Sequence, residues 1–376
     1  MGRILSLVEH RERVRRELEG SLSTDVIGRA RRDFHSFRAP RPCGMTIHTG
    51  VGCSNRCAYC YIYDMGFPGS VEVYPLPAEG IVYALSLNPY IAPTATLAAY
   101  GSVTEPFNPV TRDFSLKLME LVYRYLKLPS QVSTKSILDG DVVSRIIDAD
   151  ARCSVLVTVV AIDRAKILEP YAPDPVDRIT YAGHASRYLH TSLFIRPVIP
   201  GVTDAEIDRI LKLAVEYGIR RIVIGALRVT EGILTRIRNI DHLLYREIVS
   251  RLPREPRGRE QIAIRVDDVK KVIVRKAREH QVKVYTSACQ ANIDAHGEFC
   301  NMCSRGPCGN IHRIEAIDES DIAEFLEYMG TRPREITVSR NCIAIEVESR
   351  IRREKLDHIK RFLEQVLRTV VKIRSI

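Results

Sequence analysis

From residue 45 onward the chain alternates short apolar runs with stretches of helical spacing. MTIHTG (45–50), ATLAAYG (95–101), SQVST (130–134), SVLVTVV (154–160), SLFIRPVIPG (192–201) and RIVIGAL (221–227) read as six strands. The fourth is β-branched and apolar throughout, as a strand covered on both faces must be. Helical spacing falls between them, over 80–87 after Pro77, 112–126, 141–148, 176–187 and 205–217. In 112–126 the apolar positions Leu116, Leu118, Met119, Leu121, Val122 and Leu126 mark one face. The last of these helices meets its stop at Gly218. Strands alternating with helices predict right-handed βαβ units on a parallel sheet, hence an α/β fold with a partial (β/α)6 barrel. In such barrels the chemistry lies at the C-terminal ends of the strands.

The rhythm fails at both ends of the chain. Residues 1–44 hold a charged helical stretch, then a basic one with Arg29, Arg31, Arg32, Arg38 and Arg41, broken by Pro40 and Pro42. They predict an N-terminal basic helical arm that is either solvated or in contact with phosphates. Beyond about 230 comes an Arg- and Pro-bearing stretch at 251–259, then VKVYTSA (282–288), which reads as one further strand. A helix over about 319–329, strands at ITVSR and CIAIEVE, and a closing helix from about 352 predict a small α+β appendage. The organisation expected is an arm (1–44), a partial-barrel core (45–286), a cysteine site (287–310) and an α+β region (311–376).

Composition narrows the class. Of 376 residues, 45% are hydrophobic and 27% charged, which excludes a disordered chain and a membrane bundle. The longest uncharged run, between Glu79 and Glu105, is broken by Asn88, Pro89 and Pro93, so no membrane span is expected. The N-terminus has no apolar signal core, and a cytoplasmic chain is expected. The net charge of +10 suits a polyanionic partner or a solvated basic surface. In a reducing compartment clustered thiols read as metal ligands before disulfides. Seven of the ten cysteines fall in two clusters.

After the first strand the chain reads VGCSNRCAYCYIYD, placing Cys53, Cys57 and Cys60 on one loop. Three thiolates cannot close a four-coordinate site. On a four-iron cluster they leave one iron open to a small molecule. The alternative is zinc with a fourth, remote ligand. This spacing, with Tyr59 before the third cysteine, resembles the signature of the radical S-adenosylmethionine superfamily. The resemblance implies a radical SAM partial barrel, with Cys53, Cys57 and Cys60 holding a [4Fe–4S] cluster whose open iron chelates S-adenosylmethionine. Reductive cleavage of that cofactor yields a 5′-deoxyadenosyl radical, which abstracts a hydrogen atom from substrate. Such chemistry also implies an electron donor such as ferredoxin or flavodoxin.

Within the superfamily the chain resembles the spore photoproduct lyase-like, DNA repair photolyase-like branch over roughly 43–228. GSVTEPFNP (101–109), STKS (133–136), EPYAPDPVDR (169–178) and RPVIPGVTD (196–204) carry that resemblance. Gly101 lets backbone approach a ligand closely. Ser102, Thr104 and Glu105 suit an ammonium group. Ser133 and Lys135 suit a carboxylate, and Arg178 could grip one with its two-pronged guanidinium or pair with Glu169 instead. Tyr59 is expected to flank the adenine or the cluster, or to pack. The branch places a hydrogen-donating cysteine near the end of the second strand. Here no cysteine lies between Cys60 and Cys153, and Ser102 and Thr104 stand in that region. The resemblance therefore implies the radical-initiating step and leaves the substrate open.

CQANIDAHGEFCNMCSRGPCG holds four more cysteines, Cys289, Cys300, Cys303 and Cys308. Four thiolates can close a site around zinc or a second [4Fe–4S] cluster. His296 could stand in for one of them. Cys153 and Cys342 read as core residues, and Cys43 could face the site. Nucleic acid is the first candidate substrate and a protein or peptide the second. Two other classes compete: a non-enzymatic, metal-dependent nucleic-acid-binding module and a two-cluster electron carrier.

Overall fold

The computed structural model describes residues 2–312, 317–339, 342–348 and 351–375. Its centre is a seven-stranded, wholly parallel sheet. The strands are β1 (Met45–Thr46), β2 (Ala98–Tyr100), β3 (Ser130–Thr134), β4 (Ser154–Thr158), β5 (His190–Val198), β6 (Arg221–Ala226) and β7 (Lys283–Tyr285). They lie side by side in chain order. Neighbours pair in register from Met45 with Ala98 at one edge to Lys283 with Arg221 at the other. β1 and β7 remain edges, so the sheet is a part-barrel rather than a closed one. All seven strands stand where the apolar runs placed them. The helices Ala78–Leu87, Arg112–Leu126, Gly140–Ala149, Pro175–Ala185 and Thr203–Glu216 make the five crossovers from β1 to β6.

The period-two geometry of strands sorts the side chains between two layers. Val132, Val155, Val157, Leu193 and Ile195 face the helices and join the main core. The alternate residues Gln131, Ser133, Leu156, Thr158, Phe194 and Arg196 face inward and line a cavity.

Several features were not legible in the apolar pattern. The crossover from β6 to β7 carries the helices Glu231–Ile240, His242–Ser250 and Asp267–Glu279. The run at 282–288 is strand only to Tyr285, and a helix, Ala288–Ala295, follows it. Ala291 on that helix packs against Leu156, Val223 and Tyr285 on the inner face of the sheet. Asn292 donates to the Pro129 carbonyl (3.2 Å), Asp294 accepts from Tyr285 and lies 3.3 Å from His190, and His296 Nε2 lies 3.0 Å from Asp150. Pro129, Asp150 and His190 precede or begin β3, β4 and β5. The helix thus runs down the inside of the part-barrel, from the cavity towards the N-terminal ends of the strands.

The expected N-terminal helical arm is helical over Arg3–Ser21 and Thr24–Arg32, and it is packed against the rest of the chain. Arg3–Ser21 buries Ile4, Leu7 and Val8 against the C-terminal region and Val14 and Leu18 in the main core. Apolar residues four apart lie on one helix face, which the charged residues between them obscured. Arg31 pairs with Glu19 (2.7 Å) and Arg29 with Asp25 (3.4 Å). The C-terminal region is α+β, as expected. It holds the helices Glu319–Tyr328 and Arg353–Leu367 and the strands β8 (Pro333–Val338), β9 (Cys342–Val347) and β10 (Val370–Ser375). β10, which pairs parallel with β9, was not anticipated. Arg340, the end of the expected ITVSR strand, lies outside the described residues.

Candidate active site

A cavity of about 430 Å3 opens at the C-terminal ends of the strands. Cys53, Cys57, Cys60 and Tyr59 line it from the loop after β1. Gly101, Ser102, Thr104 and Glu105 line it from the end of β2, and Ser133 and Lys135 from the end of β3. These segments are far apart in sequence. The parallel topology brings their C-terminal ends together.

The cysteine loop is held mainly through its backbone. Cys53 N–H donates to the Pro68 carbonyl (3.2 Å), Ala58 N–H to the Leu168 carbonyl (2.8 Å) and Cys60 N–H to the Cys57 carbonyl (3.0 Å). Gly52 opens the loop at φ +79°, and a Cβ there would stand 2.1 Å from the Ser70 carbonyl oxygen. Arg236, on the helix Glu231–Ile240, clamps the far side. It donates to the carbonyls of Ala58 (3.1 Å) and Cys60 (2.7 Å) and grips Asp64 with both amino groups (2.9 and 3.0 Å). Sequence reasoning missed Arg236, because nothing local ties residue 236 to a loop 176 residues earlier. Burial pushes the Cys53 thiol up to about 11 and the Cys57 thiol up to about 12. Such thiols are neutral until a cation pays for their ionisation. Among the described residues no three His, Cys, Asp or Glu side chains stand close enough to share one metal ion. A four-iron cluster asks instead for one thiolate per iron.

Behind the loop lies a buried polar network. Glu169 accepts from the Tyr59 hydroxyl, lies 3.9 Å from Lys135 Nζ and pairs with Arg178 at 2.6 Å. The other amino group of Arg178 donates to the Thr158 carbonyl (2.6 Å). The two-pronged grip considered for a ligand is therefore spent inside the protein. Arg178 is fully buried, does not line the cavity, and holds Glu169 in place. Lys135 stacks over the Tyr59 ring, 5.5 Å from its centroid. Glu105 is likewise committed: it accepts from the Thr134 hydroxyl and from the Lys135 N–H (2.8 Å). Ser133 donates to the carbonyls of Tyr100 and Gly101 (3.3 and 3.2 Å). The Thr104 hydroxyl is buried at the cavity with no partner. Gly101 has φ +88°, and a Cβ there would stand 2.1 Å from the Ser133 carbonyl oxygen. Only glycine allows that approach of β2 to β3.

The remaining cysteines divide. Cys153 is buried in the main core. Cys342 lies on β9. Cys43 is exposed and within electrostatic reach of Cys289 and Arg196, but does not line the cavity. His296 is buried, and both ring nitrogens are engaged, one by Asp150 and one by the Asn292 carbonyl (both 3.0 Å).

No protein-family model matches the sequence, and the search of curated proteins finds no match. Solved structures do match. The class of fold defined is an open, parallel α/β part-barrel. More particularly, the fold is that of spore photoproduct lyase. A cysteine-to-serine mutant of that enzyme matches with a TM-score of 0.56 at 14% identity, over 67% of this chain and 79% of that one. Spore photoproduct lyase complexed with dinucleoside spore photoproduct matches with a TM-score of 0.54 at 13% identity, over 68% and 81%. A double mutant with bound AdoMet and dinucleoside spore photoproduct matches with a TM-score of 0.55 at 14% identity, over 68% and 81%. Among the described residues no helix is long and apolar enough to cross a membrane.

Proposed function

We propose that this chain is a radical S-adenosylmethionine enzyme acting on a nucleic acid. The observation that carries the reading is the meeting of Cys53, Cys57 and Cys60 with Gly101–Glu105, Ser133 and Lys135 around one cavity at the strand ends. The residues fit the cofactors. Three thiols on one loop match a four-iron cluster with one iron left open. The cramped glycine at 101 and the unpartnered Thr104 hydroxyl leave backbone and a free polar group facing the space beside it. The match to a spore photoproduct lyase structure with bound AdoMet supports the same assignment.

When bound, the reduced cluster and S-adenosylmethionine supply a 5′-deoxyadenosyl radical. The protein's own part is to position and to exclude. Arg236 and the backbone fix the thiol loop, while Tyr59, held by Glu169, walls the cavity beside the thiols. Arg178 and Lys135 keep the Glu169 charge neutralised where water is scarce. At the mouth stand Arg41, Arg196 and Arg228, all exposed, with Arg305 within electrostatic reach of Arg196. Among the described residues none of these four pairs with a carboxylate. Unpaired arginines over the cavity favour a phosphodiester substrate over a protein or peptide.

Anaerobically reconstituted and reduced protein is expected to release 5′-deoxyadenosine from S-adenosylmethionine. The Cys53→Ala, Cys57→Ala, Cys60→Ala variant is expected to release none. Continued release by that variant would end the assignment. For the substrate, filter binding to RNA and DNA across salt concentrations should show a steep salt dependence, and Arg196→Ala should reduce its slope by about 1. Binding that is indifferent to salt would turn the reading towards a peptide.

A further inference from the structure

The second cysteine set is brought together by three separate elements. Cys289 sits in the first turn of the helix inside the part-barrel. Cys300 and Cys308 face each other as register partners in the short antiparallel pair Phe299–Cys300 and Cys308–Gly309. Cys303 lies in the turn between them, whose Gly306 N–H donates to the Cys303 carbonyl (2.9 Å). Cys289, Cys300 and Cys308 pack in one cluster with Leu97, Ile293 and Met302. Leu97 precedes β2 and Cys289 follows β7, so the set joins segments from opposite ends of the sheet order. It also adjoins the cavity, which Ala288 lines while its carbonyl accepts from Gln131 (2.7 Å).

A second observation is independent of the thiols. Arg368, from the turn before β10, is 4% exposed, and its Nη1 has no hydrogen-bond partner. Its Nη2 donates to the Ala95 carbonyl. The Arg368 carbonyl accepts from Asn301 N–H (2.7 Å), which fixes the arginine beside the cysteine hairpin. The charges within its reach include the thiols of Cys300 and Cys289 and the carboxylate of Glu298. A guanidinium this buried, with a donor to spare, is costly unless an anion stands next to it. Neutral thiols would leave the Glu298 carboxylate as the only anion among these groups. Four thiolates around a metal centre are anions as well.

We infer that Cys289, Cys300, Cys303 and Cys308 hold a second iron–sulfur cluster, and that Arg368 is its counter-charge. A cluster gives each thiolate its own iron, whereas zinc needs all four sulfurs around one point.

The inference stands apart from the proposed reaction, and so does its test. The Cys53→Ala, Cys57→Ala, Cys60→Ala variant, purified anaerobically, retains only this set. It is expected to keep about four iron and four sulfide per chain and its brown colour. One zinc without sulfide, or no metal, overturns the inference whatever the wild-type chain does with S-adenosylmethionine. Cys303 is exposed, so Cys303→Ser in that background probes the site without disturbing a core. Loss of most of the iron and sulfide supports the assignment, and full retention overturns the role of Cys303. In the same background Arg368→Met is expected to move the midpoint potential of the remaining cluster to a more negative value, with Arg368→Lys largely restoring it. An unmoved potential would remove Arg368 as the counter-charge.

Discussion

The two cysteine sets solve different problems. The first is three thiols on one continuous loop at the strand ends, held by backbone hydrogen bonds and one arginine, with its sulfurs facing a cavity. The second is four thiols from a helix, a strand pair and the turn between, packed in part with Leu97, Ile293 and Met302. A cluster held by the first, as proposed, would leave a coordination position facing space; one held by the second could close on itself. The number of ligands and the continuity of the segment bearing them separate a centre that meets a small molecule from one that is enclosed.

The largest expected effect breaks the comparison from behind the first set. Arg178→Met would leave the buried Glu169 carboxylate without its nearest cation, at a cost of about 3–5 kcal/mol. The midpoint of chemical denaturation should fall with an unchanged slope. If the midpoint stays within error, the pair does not support Tyr59 as described.

Gly101→Ala should act on the cavity alone. Its positive φ and the crowding against Ser133 predict about 1–3 kcal/mol of strain. If that strain opens the β2–β3 contact, S-adenosylmethionine binding weakens roughly tenfold or more at 1.4 kcal/mol per tenfold. Titration calorimetry reads the affinity, and the iron of the second set should be unchanged.

Arg236→Ala sharpens the contrast between a clamped loop and a closed site. Losing its bonds to the loop should cost about 1–2 kcal/mol. It should lower iron occupancy at the first set and spare the second, as counted by iron per chain in wild type and in the triple cysteine variant. Equal loss at both sites would show that the clamp is not local.

Acid should act more gently, at the root of the first loop. His35 and His48 are packed together next to β1, and Asp33 bonds His35 Nδ1 at 2.5 Å. Burial lowers the pKa of both histidines, that of His48 to about 3. The unfolded chain therefore takes up protons near pH 6.5 that the folded chain refuses. This contribution is complete above about pH 6.5 and is lost as the pH falls towards about 3. Thermal melting should be flat in pH above that range and fall below it. A melting temperature that rises on acidification would reverse the assignment.

The apolar runs marked all seven strands because a parallel sheet is covered on both faces and must be written in continuous hydrophobic residues. The spacing of Cys53, Cys57 and Cys60, and the polar residues after β2 and β3, were legible for the same local reason: they are single segments. The packed N-terminal helix, the helix inside the part-barrel and β10 were not, because short amphipathic segments take their state from what they pack against.

What the chain determined alone is therefore local: strand positions, the three-thiol loop and the presence of four further cysteines. What only the tertiary structure decided is who meets whom. It turned Arg178 inward onto Glu169 and brought Arg236 onto the thiol loop from 176 residues away. It also set Arg368 beside Cys300 and Cys289. Buried charges must find partners, and the partners within reach are fixed by the path of the chain through space.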